Sequence, residues 1–356
     1  VLPVNGEGSR ESSSHKQRGA GSSDRPWQNN MAVEKKLLNL RVRSITYEAE
    51  GINSYELVDP AGGELPSFSA GSHIDVHTPG NLVRQYSLCN APSERHRYVI
   101  GVLCDENGTG GSKSMHQNVR AGSLITVSAP RNNFPLSENA KRSLLVAGGI
   151  GVTPIMAMME RLDAAGTDFV LHFCTRTPQH MPFGDRLKRL IRDGRAVCHH
   201  DGGEPSRGLD IFALLKNYEP GTHLYYCGPQ GMMLAAKAAS AHWPSGTVHC
   251  EYFTPPPQPK PATADELGGT DEFRVKLASS GNIFVVPRNK SIVEVLRENG
   301  VDVETSCESG ACGTCRTRYV EGEPEHNDFV LSDAEQEQFV MICCARSKAP
   351  MLILDM

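Results

Sequence analysis

Between residues 40 and 128 apolar and polar side chains alternate in short runs, separated by turn residues such as Pro79-Gly80 and Glu106-Asn107-Gly108. A period of two puts successive side chains on opposite faces of a strand. The pattern predicts strands over 40–47, 72–77, 84–88, 98–104 and 124–128. Short strands at this spacing make an antiparallel barrel. Beyond residue 138 the rhythm changes. The run 143–147, apolar after Ser143, predicts a buried strand, and 152–165 has helical spacing. Further strands are expected over 169–174, 196–200, 223–227 and 247–250, with helical patterns between them. Strand alternating with helix gives a parallel sheet covered on both faces. Five prolines within 254–261, followed by polar residues to Thr270, read as a semi-rigid solvated linker. The expected division is a barrel over 32–137, an α/β domain over 138–253, a linker over 254–270 and a last domain over 271–356. No internal repeat is seen.

Composition adjusts this picture in few places. A chain of 356 residues has room for two or three domains. A net charge of −5 argues against nucleic acid or an anionic membrane as the main partner. Eleven cysteines, an odd number scattered outside the last domain, read as reduced thiols of a cytoplasmic protein. The stretch before Met31 is rich in Ser, Gly and Asn and has no apolar run of a signal peptide. Residues 1–31 are therefore expected to be a disordered tag or scar, with Met31 as the natural start. The longest apolar stretch, 143–159, contains Gly148, Gly149, Gly151 and Pro154 and is short for a membrane span.

The chemistry is most legible in the last domain. Cys307, Cys312 and Cys315 have the spacing C-x4-C-x2-C, and Cys343 and Cys344 follow. Four thiolates in this arrangement hold a [2Fe–2S] cluster. Small residues around Gly310 and Gly313 let the loop wrap closely and aim N–H groups at sulfur. A structural zinc site is the alternative, but zinc ribbons carry two C-x2-C knuckles and here there is one. If 343 and 344 lie on a strand their side chains face opposite ways, so one of them reaches the metal; Cys343 is favoured.

The α/β segment carries Gly148, Gly149, Gly151 and Thr153 where its first strand turns into a helix. Such a turn admits a pyrophosphate onto backbone N–H groups at a helix N-terminus, although it is also ordinary structure and lacks the G-x-G-x-x-G spacing. Two more strand ends reach the same edge: Thr175-Arg176, and Cys227-Gly228-Pro229. Together they point to a nicotinamide nucleotide. In the barrel, Arg84, Tyr86 and Ser87 form one short run, and Gly110-Gly111-Ser112 precedes a helical pattern. Tyr86 can stack on a planar ring and Arg84 can pair with phosphate; each is also an ordinary surface residue.

These motifs occur in one order, and in that order the chain resembles the phthalate dioxygenase reductase family, within the ferredoxin–NADP reductase superfamily. The resemblance covers essentially all of 32–356. It implies a multidomain protein with an antiparallel β-barrel flavin domain, an α/β parallel-sheet nucleotide domain and a C-terminal β-grasp (α+β) [2Fe–2S] ferredoxin domain. It implies FMN held by Arg84, Tyr86 and Ser87, with Gly111 and Ser112 at its phosphate. Gly149, Gly151 and Thr153 would line the NADH cleft, with Cys227 near the reactive nicotinamide carbon. Phe253 would cover the second face of the flavin, or else be a core aromatic before the linker. Tyr252 stands where the family has a small residue. Arg176 leaves NADPH open as the alternative donor, since it can meet ribose or a 2′-phosphate.

On this reading NADH gives a hydride to flavin and single electrons pass through the cluster to the Rieske non-haem iron oxygenase of an aromatic dioxygenase or demethylase. The chain would be a monomer in the bacterial cytoplasm. No general acid or base is called for, and His199 and His200 are expected to pack or line the rim. Acidic stretches over 321–328 and 333–337 either steer a basic partner or are plain solvated surface. A self-contained NAD(P)H-dependent reductase of small acceptors is the alternative activity. A redox sensor is disfavoured, since no DNA-binding or signalling segment is seen.

Overall fold

The computed structural model describes residues 37–356 except 81, 109, 254–271, 306, 307, 309, 311, 312 and 332. The expected tag, the linker, Cys307 and Cys312 lie outside the described residues. The first domain is built from β1 (Leu37–Ala49), β2 (Ile52–Val58), β3 (Ser72–Thr78), β4 (Leu82–Ser87), β5 (Tyr98–Leu103), helix α1 (Gly111–Asn118), β6 (Leu124–Ser128) and β7 (Arg131–Asn132). The strands pair in the order β4-β3-β6-β1-β2-β5, with β7 on β3. All these pairings are antiparallel. A bridge between Leu88 and Ile100 joins the end of β4 to β5 and closes the sheet. The alternation legible in sequence turns Val42, Ile74, Val76, Tyr98, Ile100 and Val127 into the interior. Burying a side chain of this size contributes about 1.5–3 kcal/mol.

Strand β2 had no counterpart in the sequence reading. Its polar residues hide it, and the fold satisfies them from elsewhere. Ser54 donates to Glu48 at 2.7 Å, and Asn53 pairs with His116 of α1 at 3.3 Å.

The second domain runs β8 (Arg142–Gly148), α2 (Val152–Ala165), β9 (Asp168–Thr175), α3 (Gly184–Arg192), β10 (Ala196–His200), α4 (Ile211–Leu215), β11 (Thr222–Cys227), α5 (Gln230–Ala239) and β12 (Val248–Cys250). The sheet order is β10-β9-β8-β11-β12, all parallel. From Leu144 to Gly148 strand β8 is apolar and buried, because both faces are covered. Leu145 and Ala147 enter the core under α2 and α3, while Leu144 and Val146 enter the core under α4 and α5. The barrel packs against the α2 side. Cys89 and Phe134 join that core, and a Cβ added to Gly101 of β5 would lie 2.7 Å from the Thr153 methyl.

The last domain contains β13 (Phe273–Leu277), β14 (Ile283–Val286), α6 (Ile292–Glu298), β15 (Arg316–Glu321), β16 (Pro324–Glu325), α7 (Asp333–Gln336), β17 (Phe339–Met341), β18 (Arg346–Ser347) and β19 (Met351–Leu354). Its main sheet, β14-β13-β19-β15-β17, is mixed, with β13 and β19 parallel. Helix α6 starts in a capping box formed by Ser291 and Glu294, and it buries Ile292, Val293, Val295 and Leu296. A mixed sheet crossed by one helix is the β-grasp arrangement. Its core draws its buried members from this domain alone among the described residues. Among the described residues, no helix is long and apolar enough to cross a membrane.

Candidate functional site: three strand ends and a cysteine loop

The barrel offers an anion cradle where β4 meets α1. A Cβ on Gly111 would lie 2.6 Å from Arg84 Cγ and 2.8 Å from its Nε. Only a glycine lets the arginine stem lie across the first residue of α1. Gly110 takes φ 96 before this helix, which has no side-chain cap. The N–H groups and dipole of the helix therefore stand beside a guanidinium, a setting that favours a phosphate. Ser112 Oγ accepts from Asp105 N at 3.1 Å and closes the loop. The donor set and the glycine cradle fit the phosphate of FMN. Tyr86, half-buried on β4, packs against the barrel core, and burial pushes its phenol above the usual range.

One residue beyond Tyr86, the barrel touches the parallel sheet. Ser87 Oγ donates to Glu251 Oε2 at 3.1 Å. Glu251 follows β12, and its N–H donates to Tyr226 O of β11 at 3.3 Å. Burial pushes the Glu251 carboxyl up from 4.5 to about 7, against the lowering effect of the Ser87 hydroxyl. Cys227 ends β11 and is 1% exposed. Burial first, then the Glu251 charge, pushes its thiol well above the ordinary value, so it stays a neutral thiol. The resemblance covers Glu251 only as part of the segment Glu251-Tyr252-Phe253 over the flavin and gives it no role of its own, because Ser87 lies 164 residues away. The available signal was its place one residue past a strand, at the same carboxyl edge as Cys227.

The glycine turn packs directly on that edge. A Cβ on Gly151 would lie 2.3 Å from Cys227 O. Gly149 takes φ 51, and Gly149–Gly151 form a 3₁₀ turn into α2. Thr153 is buried, and its hydroxyl donates to Ile150 O at 3.0 Å, so it fixes the turn and packs on the barrel. Arg176 is exposed just past β9. His200 pairs with Thr175 Oγ1 at 2.8 Å, and His199 stacks on His172.

In the last domain Cys343 and Cys344 lie on a turn after β17, not on a strand. The N–H groups of Cys344 and Ala345 both donate to Met341 O, at 3.1 and 3.0 Å. The opposite-faces argument therefore does not apply. Gly310 approaches both thiols: its N–H donates to Cys343 Sγ at 3.2 Å, and a Cβ on it would lie 2.6 Å from Cys344 Sγ. Hydrogen bonding from Cys315, with Cys344 and Gly310, holds the Cys343 thiol far below its ordinary value, at about 4. Two converging thiols, one favouring the thiolate and receiving a backbone N–H, fit the donor chemistry of a [2Fe–2S] cluster. The Cys344 thiol lies close by, with its pKa pushed up by the neighbouring Cys343.

Phe253 is 46% exposed, whereas Tyr252 is 8% exposed. The Tyr252 ring sits 5.5 Å from Phe329 of the last domain.

Residues 145–238 match the oxidoreductase NAD-binding domain, and residues 275–348 match the 2Fe-2S iron-sulfur cluster binding domain. Over 326 residues the chain is 49% identical to the tert-butanol monooxygenase / tert-amyl alcohol desaturase reductase subunit of Aquincola tertiaricarbonis, covering 90% of this chain and 97% of that one. It is 42% identical over 324 residues to the phthalate dioxygenase reductase of Burkholderia cepacia, covering 91% and 98%. The solved structure of a phthalate dioxygenase reductase, described as modular for electron transfer from pyridine nucleotides to [2Fe-2S], superimposes with a TM-score of 0.67 at 42% identity. It covers 90% of this chain and 98% of that one.

Proposed function

The chain belongs to the phthalate dioxygenase reductase family, and from that premise we propose that it is the NADH-dependent reductase of an oxygenase system. It carries electrons from NADH through FMN and a [2Fe–2S] cluster to the oxygenase component. The observation that carries this reading is the Ser87–Glu251 bond. It brings the flavin strand of the barrel onto the carboxyl edge of the nucleotide sheet, beside Cys227, where a donor and an acceptor ring can meet.

Held there, FMN would supply two-electron chemistry and the cluster one-electron chemistry, which together would match a two-electron donor to a one-electron partner. The protein's own part is binding, orientation and proton control. Arg84 and the N-terminus of α1 hold the phosphate, with Gly111 and Ser112 shaping its loop and Tyr86 beside the ring. Gly149 and Gly151 let the nucleotide approach the backbone, with Thr153 holding their turn, Arg176 at the rim and Phe253 as a cover. Cys227, neutral and buried, packs at the reacting end and offers no charge to compete with hydride transfer. Glu251 holds a proton at its carboxyl near neutral pH, one hydrogen bond from Ser87 Oγ at the flavin strand. Cys307, Cys312, Cys315 and Cys343 are the ligands of the cluster. The acceptor is a Rieske non-haem iron oxygenase, and the reductase works as a cytoplasmic monomer with NADH preferred over NADPH.

Anaerobic titration with NADH, followed by visible absorption and low-temperature EPR, tests the path. The expected result is bleaching of the flavin bands together with the rhombic signal of a reduced [2Fe–2S] cluster, and FMN released on denaturation. An EPR-silent zinc protein, or a flavin that is reduced while an intact cluster stays oxidised, overturns it.

A further inference from the structure

The segment 327–331 holds the cysteine loop from one side and reaches the nucleotide domain on the other. Phe329 N–H donates to Gly310 O at 3.1 Å. Asn327 Nδ2 donates to Cys344 O at 3.2 Å. A Cβ on Gly310 would lie 3.0 Å from Asp328 Cα, so the loop and the segment are in backbone contact. Asp328 Oδ1 accepts from Val330 N and Leu331 N, at 3.1 and 2.8 Å, which folds the segment into a tight turn. That turn presents the Phe329 ring to Tyr252, with ring centroids 5.5 Å apart and planes at 46°. Phe329 also packs on the core under α4 and α5. Among the described residues it is the one ring contact between 272–356 and the rest of the protein. The cysteine loop meets the barrel at a second point: a Cβ on Gly313 would lie 3.4 Å from Asn133 Nδ2.

Tyr252 follows Glu251, the residue bonded to Ser87 of the flavin strand. A short chain of contacts thus runs from Ser87 through Glu251 and Tyr252 to Phe329, and from Phe329 to the backbone of the cysteine loop. We propose that Tyr252 and Phe329 are positioning residues, an aromatic latch that docks the ferredoxin domain with its cysteine loop on the flavin side of the protein. The inference rests on the electron path proposed above. The tyrosine, which stands where relatives of this type were expected to carry a small residue, supplies the ring that Phe329 needs. The contact uses ring area and not the hydroxyl, so Tyr252→Phe preserves it.

The test compares wild type, Tyr252→Phe, Tyr252→Ala and Phe329→Ala as purified holoenzymes with matched cluster and flavin absorbance. Phe329→Leu replaces Phe329→Ala if the alanine variant loses its cluster. The first readout is amide hydrogen exchange in the resting protein over 131–134, 250–253 and 327–331. The second is anaerobic stopped-flow absorption after mixing with NADH, which separates flavin bleaching from cluster reduction. Loss of the latch is expected to raise exchange in these segments about tenfold, the scale of about 1.4 kcal/mol for one truncated aromatic at an interface. Cluster reduction is expected to slow by a similar factor while flavin bleaching by NADH keeps its wild-type rate. Tyr252→Phe should match wild type in both. Unchanged exchange in the alanine variants, or cluster reduction at the wild-type rate, overturns the proposal. A wild type whose cluster is not reduced by NADH overturns the electron path instead, and hydrogen exchange then still decides whether the latch exists.

Discussion

Glu251 and Cys227 are neighbours in space that burial moves in the same direction, and the consequences differ because one titrates near neutrality. A thiol pushed up by burial stays protonated in any ordinary buffer. A carboxyl pushed from 4.5 to about 7 changes state where the protein works. Between those values the fold keeps a proton that the unfolded chain has lost, so stability falls as pH rises through this window and levels off above it. The full cost is roughly 3 kcal/mol above pH 7 and vanishes below pH 4.5. Glu251→Gln keeps an acceptor for Ser87 and removes the ionisation. We expect it to be more stable than wild type by about 2–3 kcal/mol at pH 8, with the gap closing towards pH 5. Urea unfolding at the two pH values checks this, and a gap independent of pH counts against the assignment.

At the scale of elements, the nucleotide edge depends on backbones that touch. A Cβ on Gly151 has only 2.3 Å to Cys227 O, and carbonyl atoms cannot swing away like the end of a side chain. Gly151→Ala should force the turn before α2 away from β11, cost about 1–3 kcal/mol as overpacking does, and weaken NADH binding more than flavin binding. Calorimetry with isothermal titration of each ligand would show it; equal losses for both would mean general damage. The parallel strands were legible because β8 is covered on both faces, which shows as the apolar run from Leu144 to Gly148. Strand β2 was not, since its Ser54 and Asn53 read as turn residues until Glu48 and His116 are seen to satisfy them. The cysteine spacing exposed the cluster loop because a metal dictates local spacing. The turn that carries Cys343 and Cys344 is fixed by hydrogen bonds to Met341 O, which leave no periodic trace in sequence. The bond of Glu251 to Ser87 escaped for the opposite reason to the cysteines: the two partners are 164 residues apart in the chain.

For the whole molecule, the ferredoxin domain is the separable part. Its core draws on its own sheet and α6, and metal binding to cysteine ligands is coupled to folding. Stripping iron with a chelator under reducing conditions should therefore lower the melting temperature of this domain alone. Scanning calorimetry is expected to resolve two transitions, with the barrel and nucleotide sheets melting as before; a single transition that moves as a whole would contradict it. One short segment nevertheless binds the parts together. Within residues 250–253 the chain bonds to Tyr226, reaches Ser87 and packs on Phe329. A hybrid reductase that borrows its iron–sulfur module from a relative should therefore be spliced beyond Phe253 and should import the borrowed module's counterpart of Phe329 together with a matching residue at 252. Cut ahead of Tyr252, the graft would carry a complete cluster domain and leave it without the surface that tells it where to stand.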